Sequence, residues 1–420
     1  MSRSRSPIIS AFVILVLGIM MAPAAPAQTF SVLHTFTGGP DGGNPGTVAV
    51  GGAGVLYGTA SQGGMTSCQF GCGVIFRLAL ENSAWILSPL YEFTGGTDGA
   101  NPDDMVVGPS GILYGMTSGG GSGFGTVFQF RPPVSPCKSV LCYWDETVIH
   151  TFAGPPNDGA SPDLSRLIFD PAGNVYGTTD AGGMANVGTA FELSQSGGGW
   201  DIAILHNFTS GNMDDGRHPL GGMIFDAQGN LYGTLNAGGT RDLGAVYELT
   251  PSNGNWTESI LYYFGYGQID NGDSPTGSLL MDESGNLYGT NTTGGQNGGG
   301  TVFELTPDSG QWVLSVLSND FDNPPGPTSG VAMDASGNVY GVSMYDGAFN
   351  FGMVYKLTHS GGGWTMTDLH DFTGGSDGAL PLDAVVLDAS GNLYGTTYSG
   401  GTTTGCNGNI GCGVVWEITP

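Results

Sequence analysis

Basic side chains are scarce in this sequence. Lys and Arg together number 9 against 36 Asp and Glu in 420 residues, a formal net charge of −27. Such a surface repels phosphate backbones and anionic headgroups, which argues against nucleic acid and acidic membranes as partners. The plain meaning of the acidity is solubility outside the cell. Charged residues of both signs make up only 11% of the chain, low for a soluble protein. No long apolar run follows the N-terminal segment, so no transmembrane anchor is expected. His-Glu-x-x-His, P-loop and dinucleotide fingerprints are all missing. The six cysteines fall in three close pairs, Cys68 with Cys72, Cys137 with Cys142 and Cys406 with Cys412. Each pair is read as a disulfide clipping a small loop, worth roughly 2 kcal/mol in loop entropy. No histidine lies beside any pair, which disfavours zinc, and no thiolate is left over as a nucleophile.

Glycine, by contrast, is abundant at 77 residues but lacks the every-third spacing of collagen. With 39% hydrophobic and 10% aromatic residues a core is affordable, and the glycines are read as turn and close-packing residues of an all-β fold. Arg3 and Arg5, the apolar stretch 8–21 and the small residues Ala25-Pro26-Ala27 have the layout of a signal peptide, with the mature chain starting near Gln28. Residues 1–27 are therefore assigned to export, and residues 28–420 to one domain.

One block organises that domain. Gly229-Asn230-Leu231-Tyr232-Gly233-Thr234 recurs around Tyr57, Tyr114, Tyr176, Tyr232, Tyr288, Tyr340 and Tyr394, at separations of 57, 62, 56, 56, 52 and 54 residues. A period of this length marks a solenoid, array or propeller. In the fourth copy, short β-rich runs at 220–226, 230–234, 244–250 and 256–264 are separated by turn residues. The Asp-x-x-Gly-Asn corner at Asp170, Asp226, Asp282, Asp334 and Asp388 reads as a structural turn. The glycine after each tyrosine, mid-strand, signals close approach by a neighbouring backbone or ring. Four strands in each of seven repeats predict a seven-bladed β-propeller. The two ends are complementary: residues 29–37 resemble a fourth strand, and residues 413–420 a third. Joined, they complete the last blade and leave no sheet edge open. An open β-solenoid would not need such ends.

The blocks Gly-Asn-Leu-Tyr-Gly-Thr, Gly-Thr-Val-Phe-Glu-Leu-Thr and Leu-His-x-Phe-Thr-Gly-x-x-Asp-Gly resemble the Gloeo/Verruco (GloVer) tandem repeat of exported bacterial proteins, over nearly all of the mature chain. The resemblance implies export and supports the propeller, but it implies no reaction, catalytic motif or ligand. Members often end in a surface-anchoring segment; this sequence stops at Pro420 directly after a repeat strand, so none is expected.

Alternating strand direction places two loop sets on one face, the Gly-Gly loops after the second strands and the Asp-Gly loops after the fourth. The Asp-Gly set contains Asp41, Asp98, Asp158, Asp215 and Asp377, each in an Asp-Gly-x-x-Pro pattern. These aspartates suit tight turns. As a ring of carboxylates they would also suit Ca²⁺, the one cofactor the sequence suggests, although the spacing matches no EF-hand. The sixth repeat departs from the pattern, and places Tyr345, Asp346 and Phe349 on the same face. Rings beside a carboxylate suit a sugar or a peptide. His34, His150, His206 and His370 share one repeat position and so fall in different blades, where they cannot form a catalytic set; His218 and His359 have no evident partners.

The expectation is thus an exported, monomeric seven-bladed propeller that acts as a binding module, recognising extracellular glycan or protein through the loop face. The rival is a propeller enzyme, a polysaccharide hydrolase or lyase or a metal-dependent lactonase, with carboxylates converging at the channel mouth.

Overall fold

A computed structural model describes residues 28–133, 144–209, 215–239, 241–265, 271–401, 406 and 410–420. The signal-peptide assignment and the Cys137–Cys142 pair lie outside the described residues. Seven antiparallel four-stranded sheets form the blades of a β-propeller, numbered here 1 to 7 in the order of Tyr57 to Tyr394. Helix among the described residues amounts to two single turns, Gly52–Gly54 and Pro109–Gly111.

Blade 4 runs from the channel outward as Ile224–Phe225, Leu231–Leu235, Ala245–Ser252 and Asn255–Tyr263. The last two strands run further than their turn residues suggest, meeting at a two-residue turn, Asn253-Gly254, with both φ positive at 51° and 80°. That is the primed turn whose twist matches a hairpin. The innermost strand is shorter than expected and split: Gly216–Arg217 pairs separately with Ala237–Gly238. Pro219 has no N–H for the ladder, and Gly221 and Gly222 lie against the backbones of the neighbouring blades. Blades 1 and 2 instead keep continuous inner strands, Gly43–Val50 and Ala100–Val107, each with a register shift just after its proline.

The repeated block now divides its labour residue by residue. Asp226 Oδ1 accepts the N–H groups of Gln228 and Asn230, both at 2.8 Å; Oδ2 accepts the Asn230 amide at 2.8 Å and stands 3.1 Å from the Tyr232 hydroxyl. The corner aspartate is structural, as its turn chemistry indicates. Gly233 pairs with Tyr247 across the strands, and a Cβ on it would stand 2.5 Å from the Tyr247 hydroxyl. Phe76, Phe128, Phe191, Phe303, Tyr355 and Trp416 cover the equivalent glycines. These rings are fully buried and enter clusters that span adjacent blades, such as Tyr176, Phe208, Met223 and Tyr247 between blades 3 and 4. The threonine that ends the block links blades: Thr234 donates to Gly277 O at 3.1 Å, Thr290 to Ser329 O at 2.7 Å, and Thr59 to Asp103 O.

Blade 7 closes the ring with strands from both chain ends. Thr29–Thr35 pairs antiparallel with Val414–Thr419 from Thr29↔Thr419 to Thr35↔Val414, outside Leu393–Thr397 and Val386–Leu387. Phe30 stacks on His370 of blade 6 with ring centroids 3.6 Å apart.

Gly233→Ala is expected to lower unfolding free energy by about 1–3 kcal/mol in urea titration, because the new methyl must displace a fully buried ring. Deleting residues 29–35 removes the outer strand of blade 7, and its melting temperature should fall below that of the intact mature chain; an unchanged value would refute closure as a source of stability.

Candidate functional site

The two loop sets do share a face, and they are bonded to each other. Gly64 N–H donates to Gly39 O at 2.9 Å, and Gly121 to Gly96 O, Gly183 to Asp158 O and Gly401 to Gly375 O each at 2.8 Å. The Asp-Gly aspartates stand one per blade junction, each gripped by its own loop. Asp41 accepts the Thr37 N–H at 3.0 Å, the Thr37 hydroxyl and His34 Nε2 at 3.2 Å. Asp377 repeats this with Thr373 N–H at 2.9 Å and His370 Nε2 at 3.2 Å. Asp158 takes His150 Nε2 at 3.0 Å with the Ala153 and Gly159 N–H groups, both at 2.8 Å. Asp98 takes a tyrosine in place of the histidine, the Tyr91 hydroxyl at 3.1 Å, with Thr94 N–H at 2.7 Å. Asp215 takes Thr209 N–H at 2.9 Å and Gly216 N–H at 2.6 Å. His34, His150 and His370 are thus hydrogen-bond partners of the repeated aspartates, while His206 Nε2 stands 3.9 Å from Asp215 Oδ1. Burial alone would raise these carboxyls; the histidine and loop donors outweigh it and hold Asp41, Asp158 and Asp215 below the usual range. Their contribution to stability is present above the unfolded carboxylate value and is lost as pH falls through the folded ones.

Blade 6 meets the same need differently. Its inner loop lacks an Asp-Gly, and the buried Asp346 supplies the carboxylate, accepting Asp322 N–H at 2.8 Å, Asn323 N–H at 3.0 Å and the Ser343 hydroxyl. Tyr345 is half-buried, and Phe351 lies over Gly374. Of the three residues singled out in this repeat, Phe349 is the one presented to solvent, at 53% exposure.

A different group of residues gathers at the ring's centre. The channel holds a cavity of about 390 Å³ walled by the inner strands, and its lining is mostly Gly, Ser, Thr and apolar side chains. Four charges break that pattern: Asp103 and Asp104 from blade 2, Arg166 from blade 3 and Asp383 from blade 7. Asp103 and Asp104 occupy the register shift between Pro102 and Met105, a bulge that re-aims successive side chains. Asp103 Oδ2 accepts Leu164 N–H at 2.6 Å, Asp104 Oδ1 accepts Met105 N–H at 2.7 Å, and Arg166 Nε lies 3.7 Å from Asp104 Oδ2. Blade 1 contributes Gly46 here, where a Cβ would run into Asp103 O. Burial pushes the Asp103 carboxyl up to about 6, with the Leu164 N–H opposing it and the Asp104 and Asp163 charges adding to it. Burial and the charges of Asp103 and Asp104 raise Asp383 well above its ordinary value. Asp104 is raised by burial despite Arg166.

Sequence reasoning did not single out these four residues. The signal lay one step past the Asp-Gly-x-x-Pro motif: aligned on the block tyrosine, the inner strands of blades 4, 5 and 6 read Gly221-Gly222, Gly277-Ser278 and Ser329-Gly330, while blade 2 reads Asp103-Asp104. His218, without an evident partner in the sequence, pairs through Nδ1 with Asp180 Oδ1 at 2.7 Å, and His359 packs on Trp364.

Two of the three expected disulfides are formed, Cys68–Cys72 and Cys406–Cys412, with Cα separations of 5.0 and 5.3 Å. They occupy equivalent loops of blades 1 and 7. In each, the second cysteine's carbonyl accepts an N–H from the next inner strand, Cys72 O from Asn101 at 2.9 Å and Cys412 O from Asn44 at 2.8 Å. No helix among the described residues is long and apolar enough to cross a membrane.

The sequence profile described as the Gloeobacter/Verrucomicrobia repeat matches residues 20–212 and 164–410. No curated protein matches the chain by sequence. Among solved structures, a Dyadobacter fermentans protein of unknown function is similar at TM-score 0.45 and 11% identity, covering 94% of this chain and 99% of that one. The PQQ-bound aldose sugar dehydrogenase of Streptomyces coelicolor is similar at TM-score 0.42 and 12% identity, covering 94% and 100%. A Xanthomonas campestris gluconolactonase follows at TM-score 0.39 and 11% identity, covering 74% and 85%.

Because Asp103 holds its proton to about pH 6, against an unfolded value of about 3.9, ionising it costs folded-state stability as pH rises between those values. Asp103→Asn keeps an acceptor for the Leu164 N–H and should raise stability by about 1–3 kcal/mol at pH 7.5. The gain should vanish below pH about 4. Thermal melts of both proteins across that range measure it.

Proposed function

The chain belongs to the Gloeobacter/Verrucomicrobia repeat family, and from that premise we propose that it is an exported ligand-binding propeller whose ligand sits in the central channel. The carrying observation is the cluster of Asp103, Asp104, Arg166 and Asp383 in a cavity otherwise lined by small and apolar groups. A cavity of this size, with a few convergent polar groups of perturbed pKa, is the default site in a protein of this kind. The expected loop-face site has less to offer: its aspartates spend their hydrogen-bonding capacity on their own loops.

The acid-rich cluster favours ligands that donate hydrogen bonds and carry no negative charge. A neutral or amino-bearing saccharide fits: its hydroxyl or ammonium groups donate to the carboxylates, and Arg166 supplies a donor for a ring or acetal oxygen. Uronic acids and phosphosugars are disfavoured by the same carboxylates and by the net charge of −27.

A second reading has its own support. Burial and neighbouring charge raise the carboxyls of Asp383 and Asp103 above the usual range beside Asp104, and an acid of raised pKa beside a second carboxyl group is what glycoside hydrolysis requires. In that case Asp383 is the general acid.

Calorimetric titration of the mature chain with neutral, amino and uronic oligosaccharides separates these readings. Binding of the neutral or amino sugars is expected, weakened tenfold or more by Asp103→Asn combined with Asp383→Asn and untouched by Phe349→Ala. Loss of binding in Phe349→Ala alone would return the site to the loop face, and no binding across the panel would refute the proposal. Release of reducing ends that Asp383→Asn abolishes while binding persists would establish the hydrolase.

A further inference from the structure

The loop-face junctions are built alike, and one of them departs from the others in a way its own packing does not explain. In blades 7, 2 and 6 the repeated histidine closes directly on its aspartate: His34 on Asp41 at 3.2 Å, His150 on Asp158 at 3.0 Å, His370 on Asp377 at 3.2 Å. At the junction of blades 3 and 4 this bond is open. His206 Nε2 stands 3.9 Å from Asp215 Oδ1 and 3.5 Å from Glu258 Oε2, a carboxylate on the outer strand of blade 4.

The repeat shows what Glu258 replaces. Four residues before the histidine or tyrosine of the outer strand, blade 1 carries Leu87, blade 3 Ile202, blade 6 Met366 and blade 7 Phe30, while blade 2 carries an acid, Glu146, which faces Tyr91 and Asp98 and so has no imidazole beside it. Phe30 lies flat on the His370 ring. Blade 4 puts a carboxylate at this covering position, and its side chain is only 9% exposed. Neither His206 Nε2 nor Glu258 Oε1 has a hydrogen-bond partner among the described residues, although both atoms are buried. Buried polar atoms without partners are costly, and here two of them belong to one junction.

The separations are too long for hydrogen bonds but fit the edges of a coordination polyhedron. Bonds of about 2.0–2.1 Å to nitrogen and oxygen at tetrahedral angles place neighbouring ligand atoms about 3.3–3.4 Å apart. One ligand atom from each of His206, Asp215 and Glu258 lies within 4.8 Å of the other two, and no other such trio of His, Cys, Asp or Glu occurs among the described residues. Asp215 is already oriented for the task, its Oδ2 fixed by Thr209 N–H and Oδ1 by Gly216 N–H, as outer contacts commonly fix metal ligands.

We propose that His206, Asp215 and Glu258 form a divalent transition-metal site, of zinc type, clamping the outer strands of blades 3 and 4. One imidazole and two carboxylates suit zinc better than calcium, which takes six to eight oxygen ligands. The site lies at the propeller rim and is independent of the channel cluster, so its fate does not decide that of the saccharide reading.

The test titrates ZnCl₂ into metal-stripped mature protein by calorimetry, with Co²⁺ as a spectroscopic stand-in. One equivalent of zinc should bind, and Co²⁺ should show the intense visible bands of a four-coordinate site. Glu258→Leu and His206→Tyr install residue types that the repeat itself uses at these positions, Leu87 and Tyr91, so both should fold, as circular dichroism would verify. Each should weaken zinc binding more than about tenfold, while His370→Tyr leaves it unchanged. Failure of the wild-type chain to bind zinc, or equal binding by the Glu258→Leu and His206→Tyr proteins, would overturn the proposal.

Discussion

A Cβ on Gly233 would meet the Tyr247 ring, and a Cβ at the equivalent glycine of every other blade would meet the aromatic residue opposite it. The rest of the structure depends on that vacancy. Glycine in a strand is ordinarily a loss, since it packs nothing and surrenders the most backbone entropy. Here the ring of the third strand lies across it and recovers the missing contacts, while the side chains above and below stay in the sheet. The ring then reaches the neighbouring blade, so one residue without a side chain sets both the packing within a blade and the contact between blades. The threonine that follows adds a hydroxyl-to-carbonyl bond to the next inner strand, which would otherwise present unpaired carbonyls to the channel wall.

The same economy governs the loop face. Four junctions satisfy their polar groups locally, the carboxylates of Asp41, Asp98, Asp158 and Asp377 collecting the N–H groups of their own turns and the imidazole or phenol of their own strands. Blade 6 shows how firm that requirement is: when the Asp-Gly is lost, Asp346 brings a carboxylate from the opposite loop to the same backbone donors. Against such regularity, the informative residues are those whose polar atoms the scaffold does not need. Two groups meet that description, the channel acids, held at raised pKa in a ring of small residues, and the open His206–Asp215–Glu258 junction.

Much of the fold was legible because period and turn chemistry are local. The spacing of the block tyrosines counted the blades, Asp-x-x-Gly-Asn marked the corner, and Gly after Tyr pointed to a ring. The seam followed from two orphan strands. Strand limits were harder. Asn253-Gly254 permits a tighter turn than the residues before it suggest, and Pro219 with Gly221-Gly222 breaks an inner strand whose apolar run looked continuous. The functional residues were least legible, because their significance is a convergence. Asp103 and Asp383 are 280 positions apart in the chain, and only ring closure brings blades 7 and 2 to either side of Gly46. Tyr345, Asp346 and Phe349 drew attention as departures from a motif, whereas Asp103 and Asp104 sit directly behind an intact one. The signal was present in the inner strands but needed alignment on the tyrosine to be seen.

The seam in blade 7 also imposes an order of events on the chain. Of the ring's strands, Thr29–Thr35 comes first in the chain and Val414–Thr419 last, yet each is the other's partner. Local hairpins within blades 1 to 6 can form as they emerge. The ring cannot: its first strand must wait, unpaired, until the last strand of the ring has been made. Until then both cut edges are available to foreign strands, and the loop-closure entropy of the longest contact in the molecule is met only at the final step. A truncated product lacking its last strand is therefore an open arc, with an edge of blade 7 and an idle N-terminal strand ready to capture each other between molecules.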